Sequence, residues 1–444
     1  MHAKNNKADA DFQTTLDLAK QLVRSESITP DPAETLSIIK DALAPLGAQF
    51  YQHQHAAVHN MLATMPIPAH KKALPRHLLF LGHVDVVPAG DPMAWRYPPF
   101  SGQVAEEALW GRGTADMKGA ITAFIGALRA FVASDTSPGP DSQNNSGRIS
   151  LLLTSDEEGA AQHGIKAALP FFQKQLPDLF PPGLCLVGEP TSGTQVGDTL
   201  KVGRRGSLYG DITFHSASGH AAYPSNTQNP AHALWAFLDG LSKASENCET
   251  ASGTPLSPAI LHALKQGNPV PDTKIAAFSS AIELDQGYPG FPPSTFVVTG
   301  IDAPHVASNV TPDVAKLSFA LRFNPCHTEK TLVDLIRQTV QKQGLEFKLN
   351  STCSGHPYLS QSPELALSLR PILQKALGLA KLPTLSTGGG ISDGRFFASL
   401  CPVIELGLLS KGIHQPNECV ALADLNALET AYEATLAAFF TGGI

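Results

Sequence analysis

His77-Leu78-Leu79-Phe80-Leu81-Gly82 is a short apolar run closed by a glycine, and His83-Val84-Asp85 follows it at once. A run of this length without polar alternation predicts a strand buried on both faces, as in a parallel sheet covered by helices. Ile149 to Leu153 and Leu184 to Val187 repeat the pattern, and each leads into acidic residues. Between the first two runs, Ile121, Phe124, Ile125, Leu128, Phe131 and Val132 fall on one face of a helix, which gives the strand–helix–strand grammar. Sheets of this kind hold ligands at the carboxyl ends of their strands. Upstream, Phe12, Leu16 and Val23 predict an opening helix that stops around Ser27 to Pro30.

Downstream of about Arg205 the period changes. Leu208, Ile212 and Phe214, and later Leu317, Phe319, Leu321 and Phe323, alternate with polar residues, as in a sheet with one buried face. The earlier grammar returns with a strand near Pro402 to Leu406 and a final helix carrying Leu425, Leu428, Tyr432, Leu436 and Phe439. The expected fold class is therefore α/β, a mostly parallel sheet covered by helices, in a discontinuous domain of residues 1–205 and 352–444. An α+β domain of residues 206–351 interrupts it. Ser134 to Gly147 and roughly Ala244 to Asp272 are rich in Ser, Pro, Gly, Asn and Thr, and are expected to be surface insertions.

With 444 residues and 43% hydrophobic content the chain can bury more than one core. A formal net charge of -7 argues against a nucleic-acid partner, so an anionic ligand must be met by a local group of arginines or lysines. The polar start, Met1 to Asp11, has no apolar leader core, and no apolar run is long enough to span a bilayer. The expectation is a cytoplasmic protein that is not bound to a membrane. Six scattered cysteines, without a Cys-x-x-Cys spacing, suggest neither a disulfide framework nor a structural zinc knuckle.

The chemistry-bearing residues stand at the predicted strand ends. His83 can offer one ring nitrogen to a metal while Asp85 orients the ring, although His-x-Asp by itself is also an ordinary strand-end turn. Asp116, in Gly111 to Gly119, has two carboxylate oxygens for two metals; alone, it reads more simply as a helix N-cap. The glycines around it match neither nucleotide-binding spacing. Asp156-Glu157-Glu158 are three adjacent acids that repel one another unless cations neutralise some of them, or unless the loop is simply solvated. Glu189 follows the third run, and His414 lies in a loop before the final helix. Two histidines and several carboxylates together suit a borderline cation such as Zn²⁺ or Co²⁺.

In the order GHVDVVP (82–88), GRGTADMKG (111–119), TSDEEG (154–159), VGEPTS (187–192) and IHQPNE (413–418), the chain resembles the M20 metallopeptidase family over nearly its whole length. KVGRRGSLYG (201–210), SGHAAYP (218–224) and STGGGISDGRF (386–396) resemble the branch that removes succinyl groups from N-succinyl amino acids, more closely than the acetylornithine-deacetylating branch. Ile391 stands where that branch has a threonine. The resemblance implies a catalytic domain holding two Zn²⁺, with Co²⁺ as replacement, and an inserted lid and dimerisation domain. It implies that Asp116 bridges the ions, that His83 and Glu189 complete one site and Glu158 and His414 the other, and that Asp85 supports His83. Glu157 stays uncoordinated, takes a proton from the attacking water and passes it to the departing amine. His220 is implied to reach the active site of the opposite subunit of a homodimer.

Arg205, Arg322 and Arg395 are candidate partners for the carboxylates of a small N-succinyl amino-acid substrate. Arg322 lies on the face opposite Leu321 and Phe323, where a surface salt bridge is its simpler role. Asn309 resembles a family substrate contact, and Thr387 and Gly388 belong to a glycine-rich loop that can approach a ligand closely. A different amidohydrolase of the family, such as an acetylornithine deacetylase or a dipeptidase, would keep every metal residue. A non-catalytic metal-binding scaffold would have no chemical need for Glu157.

Overall fold

The computed structural model describes residues 2–67, 76–133, 147–244, 256–267, 281–304 and 307–444. They form two compact units: residues 1–202, 360–385 and 392–444 make the first, and residues 203–359 with 386–391 the second.

The first unit is built on a sheet whose strands lie in the order Gln49–His55, Val58–Pro66, Arg148–Thr154, His77–His83, Leu184–Val187, Val403–Glu405, Thr199–Lys201 and Thr384–Ser386. The four strands from Arg148–Thr154 to Val403–Glu405 run parallel, Gln49–His55 and Val58–Pro66 pair antiparallel at one side, and Thr199–Lys201 pairs antiparallel with Val403–Glu405 at the other. The apolar run at 77–81 is explained by what covers it. Leu79 and Leu81 pack on one face with Ile165, Leu169 and Phe172 of the helix Ile165–Gln175. Phe80 points the other way, stacked on Phe124 at 4.2 Å and edge-on to Tyr432 at 5.8 Å between ring centroids. With both faces dry there is no place for polar alternation. The helix Gly119–Ala133 is likewise buried almost all round, since His2–Arg24 and Leu422–Thr441 both pack against it.

The second unit is a five-stranded sheet in the order Ile282–Glu283, Thr295–Asp302, Val314–Phe323, Gly206–His215 and Glu346–Gly355, all antiparallel. Leu317, Phe319, Leu321 and Phe323 face its core with Leu208, Ile212 and Phe214, and the helices Pro230–Ser242 and Glu329–Gln341 close that side. The alternation seen in the sequence is this single buried face.

Three expectations need correction. The strand Glu346–Gly355 runs straight through the boundary drawn at 351, because its alternating residues still pair with Gly206–His215; the second unit ends at Leu359 and regains 386–391. Inside the segment expected as an insertion from 244 to 272, Pro258–Gly267 is a helix with Ile260, Ala263 and Leu264 buried. The Ser134 to Gly147 segment lies, but for Gly147, outside the described residues. Finally, Cys326 is disulfide-bonded, whereas Cys185, Cys353, Cys401 and Cys419 keep their thiols.

Candidate metal centre

His83 is the last residue of its strand, and its main-chain N–H donates to Met117 Sδ at 3.4 Å. Its ring Nδ1 lies 2.9 Å from the Asp85 main-chain oxygen, while the Asp85 carboxylate is 3.7 Å away. The expectation that the Asp85 carboxylate orients this ring is therefore corrected: the backbone carbonyl does so. The carboxylate turns to the acidic loop instead, accepting from Glu157 N at 3.4 Å, Glu158 N at 3.1 Å and Thr29 Oγ1 at 2.6 Å. Asp85 thereby fixes the loop that carries the candidate base.

Asp116 is not a helix cap. It sits ahead of the helix that begins at Gly119, with φ −125° and ψ 94°, and this extended backbone swings its carboxylate inward. Glu418 holds it there: one Glu418 oxygen accepts from Ala115 N at 3.0 Å and Asp116 N at 3.3 Å, and the other accepts from Arg112 Nη1 at 2.7 Å. Glu189 is placed by a close backbone approach from the neighbouring strand's end, since a Cβ on Gly407 would lie 2.2 Å from the Glu189 main-chain oxygen. His414 adopts φ 62° in the left-handed region, a strained conformation for a side chain of this size. Asn417, close by, anchors its loop by accepting from Arg96 N at 2.6 Å and donating to Ala94 O at 3.2 Å.

These local devices bring the six residues together. His83 Nε2 lies 3.1 Å from Asp116 Oδ1 and 3.7 Å from Glu189 Oε1. His414 Nε2 lies 2.9 Å from Glu158 Oε1 and 3.5 Å from the other Asp116 oxygen. One donor atom each of His83, Glu157 and Glu189 also falls within 4.8 Å of the others, so distance alone does not separate Glu157 from the ligands. Two donors on one tetrahedral zinc, at bonds of ~2.0–2.1 Å, stand ~3.4 Å apart, and the four distances bracket that value.

The electrostatics agree with a cation site. Burial opposes charge on His83, yet Asp116, Glu157 and Asp85 push its pKa well above the usual imidazole value. Asp116 and Glu158 raise His414 to about 10. Burial raises Glu157 well above the carboxylate range, and Glu189, Asp393 and Glu158 add to the effect. The rings are held as cations, and a carboxyl is pushed toward its neutral form, because the cluster carries more acid than its histidines can balance.

Two contributors escaped the sequence reading. Asp393 is buried, and neither carboxylate oxygen finds a hydrogen bond; burial pushes its pKa up to about 6. Thr29 is remote in sequence from Asp85, and its only signal is that it ends the opening segment. Arg395 belongs to this unit, with Nη2 3.6 Å from Asp393 Oδ1 and its guanidinium over Phe396.

The remaining candidates lie in the second unit. Arg322 is opposite Ser207 on one neighbouring strand and Thr295 on the other, and its Nη1 donates to Ser207 Oγ. Arg205 Nη1 donates to Pro293 O at 2.7 Å and Thr295 Oγ1 at 3.3 Å. Burial, and then the Arg322 charge, lowers the Arg205 pKa. Among the described residues neither guanidinium has a carboxylate within ion-pair distance. The segment Gly287 to Pro293 is pinned by the buried Asp285, which accepts from Gly287 N at 2.7 Å and Asn324 Nδ2 at 2.8 Å and meets His327 Nε2 at 3.0 Å. That segment also accepts Thr387 Oγ1 on Gly290 O at 2.7 Å. In the glycine-rich loop, Gly388 N donates to Ser386 Oγ at 3.1 Å, and Gly389 takes φ 99°. His220 is exposed; its Nδ1 accepts from Ala222 N at 3.1 Å, and Asn309 O accepts from Ala221 N at 2.8 Å.

The model of peptidase family M20/M25/M40 matches residues 79–438, which include the whole metal cluster. The chain belongs to this family. Among curated relatives, the family member named succinyl-diaminopimelate desuccinylase of Halorhodospira halophila is 36% identical, with 95% of this chain and 97% of the relative covered. The protein of the same name from Maricaulis maris is 34% identical, with 97% of each covered. Solved structures share the fold: an M20 family metallo-carboxypeptidase from Sulfolobus solfataricus has a TM-score of 0.70 at 15% identity, covering 96% of this chain and 99% of that one. Human carnosine dipeptidase 1 has a TM-score of 0.67 at 16% identity, with 97% and 98% covered. Among the described residues, no helix is long and apolar enough to cross a membrane.

Proposed function

We propose that this chain hydrolyses the amide of N-succinyl-LL-2,6-diaminopimelate, giving succinate and LL-2,6-diaminopimelate. The observation that carries the hydrolytic reading is the two-sided Asp116: one carboxylate oxygen faces His83 and the other His414, with Glu157 beside them. The substrate class rests on the family relatives, which bear that activity in their names. It rests also on the guanidiniums of Arg205 and Arg322, which have no carboxylate of the described residues within ion-pair distance, Asp285 acting on Arg205 only from farther away.

The donor set fits two zinc ions, with cobalt as a replacement: His83, Glu189 and Asp116 would hold one, and His414, Glu158 and Asp116 would hold the other. When bound, two such cations acidify a water and polarise the amide oxygen. Glu157 takes a proton from the attacking water and returns it to the departing amine nitrogen. Asp85, through the Glu157 and Glu158 amides, keeps that carboxylate in place. In the second unit Arg205 and Arg322, with Asn309, Thr387 and Gly388, are the candidates to bind a substrate carboxylate, and in the first unit Arg395 is a further candidate. Turnover of N-succinyl-diaminopimelate against N-acetylornithine, with zinc content measured in the same preparation, tests this reading. Preference for the acetyl substrate overturns it.

The protein acts as a homodimer in this reading. The His220 Nδ1 is occupied as an acceptor, which leaves Nε2–H to donate to the oxyanion formed in the opposite subunit. Mixing His220→Ala and Glu157→Gln chains under exchange should restore about a quarter of the sites, because half the dimers are hybrids with one intact site. If exchange is verified and no activity returns, His220 does not act across subunits.

A further inference from the structure

The second unit carries another group of metal-ligating side chains that the proposed reaction does not use. Cys353 lies near the end of the edge strand Glu346–Gly355, on the face where Phe347 and Leu349 pack toward the core. His356 follows three residues later, just beyond the strand. The helix Glu329–Gln341 packs against that strand, and Glu329 is its first residue. Thr328 locks the start of the helix with a reciprocal cap to Thr331. One donor atom each of Glu329, Cys353 and His356 lies within 4.8 Å of the others.

A sulfur, an imidazole nitrogen and a carboxylate oxygen are the donors that borderline divalent cations take. With bonds of ~2.3 Å to sulfur and ~2.0–2.1 Å to nitrogen, two such donors stand ~3.6 Å apart on a tetrahedral ion. Side-chain rotation of about an ångström closes the group, while a hydrogen-bonded strand and a capped helix hold the backbones still. Glu329 alone has an ordinary reason to sit at a helix N-terminus. That role gives no account of a cysteine and a histidine converging on it.

We propose that Glu329, Cys353 and His356 bind one zinc-like divalent cation, which ties the start of the helix to the edge strand and leaves a fourth position to water. Binding transfers the thiol proton to solvent, so affinity rises with pH. The site differs in chemistry from the centre of the first unit, whose donors are histidines and carboxylates without sulfur. That difference supplies the test.

Titration of the metal-free full-length chain with Co²⁺ should produce a near-ultraviolet thiolate-to-cobalt charge-transfer band. The carboxylate and histidine centre cannot contribute to it, whether or not it fills. Cys353→Ser should abolish the band and lower the bound cobalt by one equivalent per chain, while Cys419→Ser should keep both. His356→Ala should weaken the cobalt affinity read from this band by at least about ten-fold. Circular dichroism of each variant separates loss of the site from loss of the fold, and Glu329→Gln, at a surface helix end, gives a second, milder variant that should weaken the band. Absence of the band in the wild-type chain, or its persistence in Cys353→Ser, overturns the proposal.

Discussion

The cluster around Asp116 and the pair Arg205/Arg322 are incomplete in opposite senses. In the first unit Asp116, Glu157, Glu158 and Glu189 crowd around two histidines, whose rings are driven to their charged forms for want of other cations. In the second unit two half-buried guanidiniums, Arg205 and Arg322, donate to hydroxyls and a main-chain oxygen, and among the described residues neither has a carboxylate within ion-pair distance; Asp285 acts on Arg205 only from farther away. A buried charge without a partner is costly, so a fold keeps such groups where a ligand completes them. In the proposed reading the first region receives cations and the second an anion, each taken by itself.

The largest effect should come from Glu157→Gln. The change removes a base without altering shape, so turnover should fall by about 10³-fold or more while both metal equivalents remain bound, as read by steady-state assay and elemental analysis. Loss of a metal equivalent would place Glu157 among the ligands, a role its distance to His83 and Glu189 permits. Arg322→Ala should act differently, raising KM and lowering kcat/KM by about 10–100-fold, the worth of a charge-assisted hydrogen bond, with metal content unchanged. If kcat falls and KM does not, the arginine pair is not the substrate-carboxylate site.

The two regions were also unequally legible. In the first unit the apolar runs and the acids that follow them read directly, with His83 at a strand end and Glu189 just beyond one, whereas the ligand roles of Asp116 and His414, in a turn and a loop, rest on the family resemblance. The residues that aim those ligands did not read. Thr29 reaches Asp85, and Glu418 reaches the amides of Ala115 and Asp116, only after the chain has folded across itself. The carbonyl of Asp85, which orients His83, carries no sequence signal at all. In the second unit the alternation at 317–323 shows its buried face, whereas the core-facing positions of Glu346–Gly355 end in Ser351, Cys353 and Gly355 and give little apolar signal across the boundary expected at 351. The helix at 258–267 was hidden for a related reason: three apolar contacts, Ile260, Ala263 and Leu264, stand between polar flanks.

Glu429 sharpens the comparison, because it is a buried carboxyl on which the one opposing charge, Arg129, acts less than burial does. It lies on the helix Leu422–Thr441, and one of its oxygens has no hydrogen-bond partner. Burial raises its pKa to about 7, well above the usual carboxylate value. Where the Asp116 cluster is built for metal and the arginines for an anion, Glu429 resolves its charge by keeping a proton. A folded-state pKa above the unfolded one means that the native state binds more protons between those values. The contribution is fully present below about pH 4.5 and is lost as pH rises through about 7. His77, whose burial lowers its pKa to about 4, works the other way between about 4 and 6.5, so the wild-type profile alone mixes the two. Comparing the wild type with Glu429→Gln isolates one group, since the amide is neutral at every pH. The variant should unfold about 2–5 °C higher than wild type at about pH 8, and the difference should vanish below about pH 5. A constant offset across the range would mean that Glu429 is ionised in the native state and that the neighbouring Arg129 neutralises it.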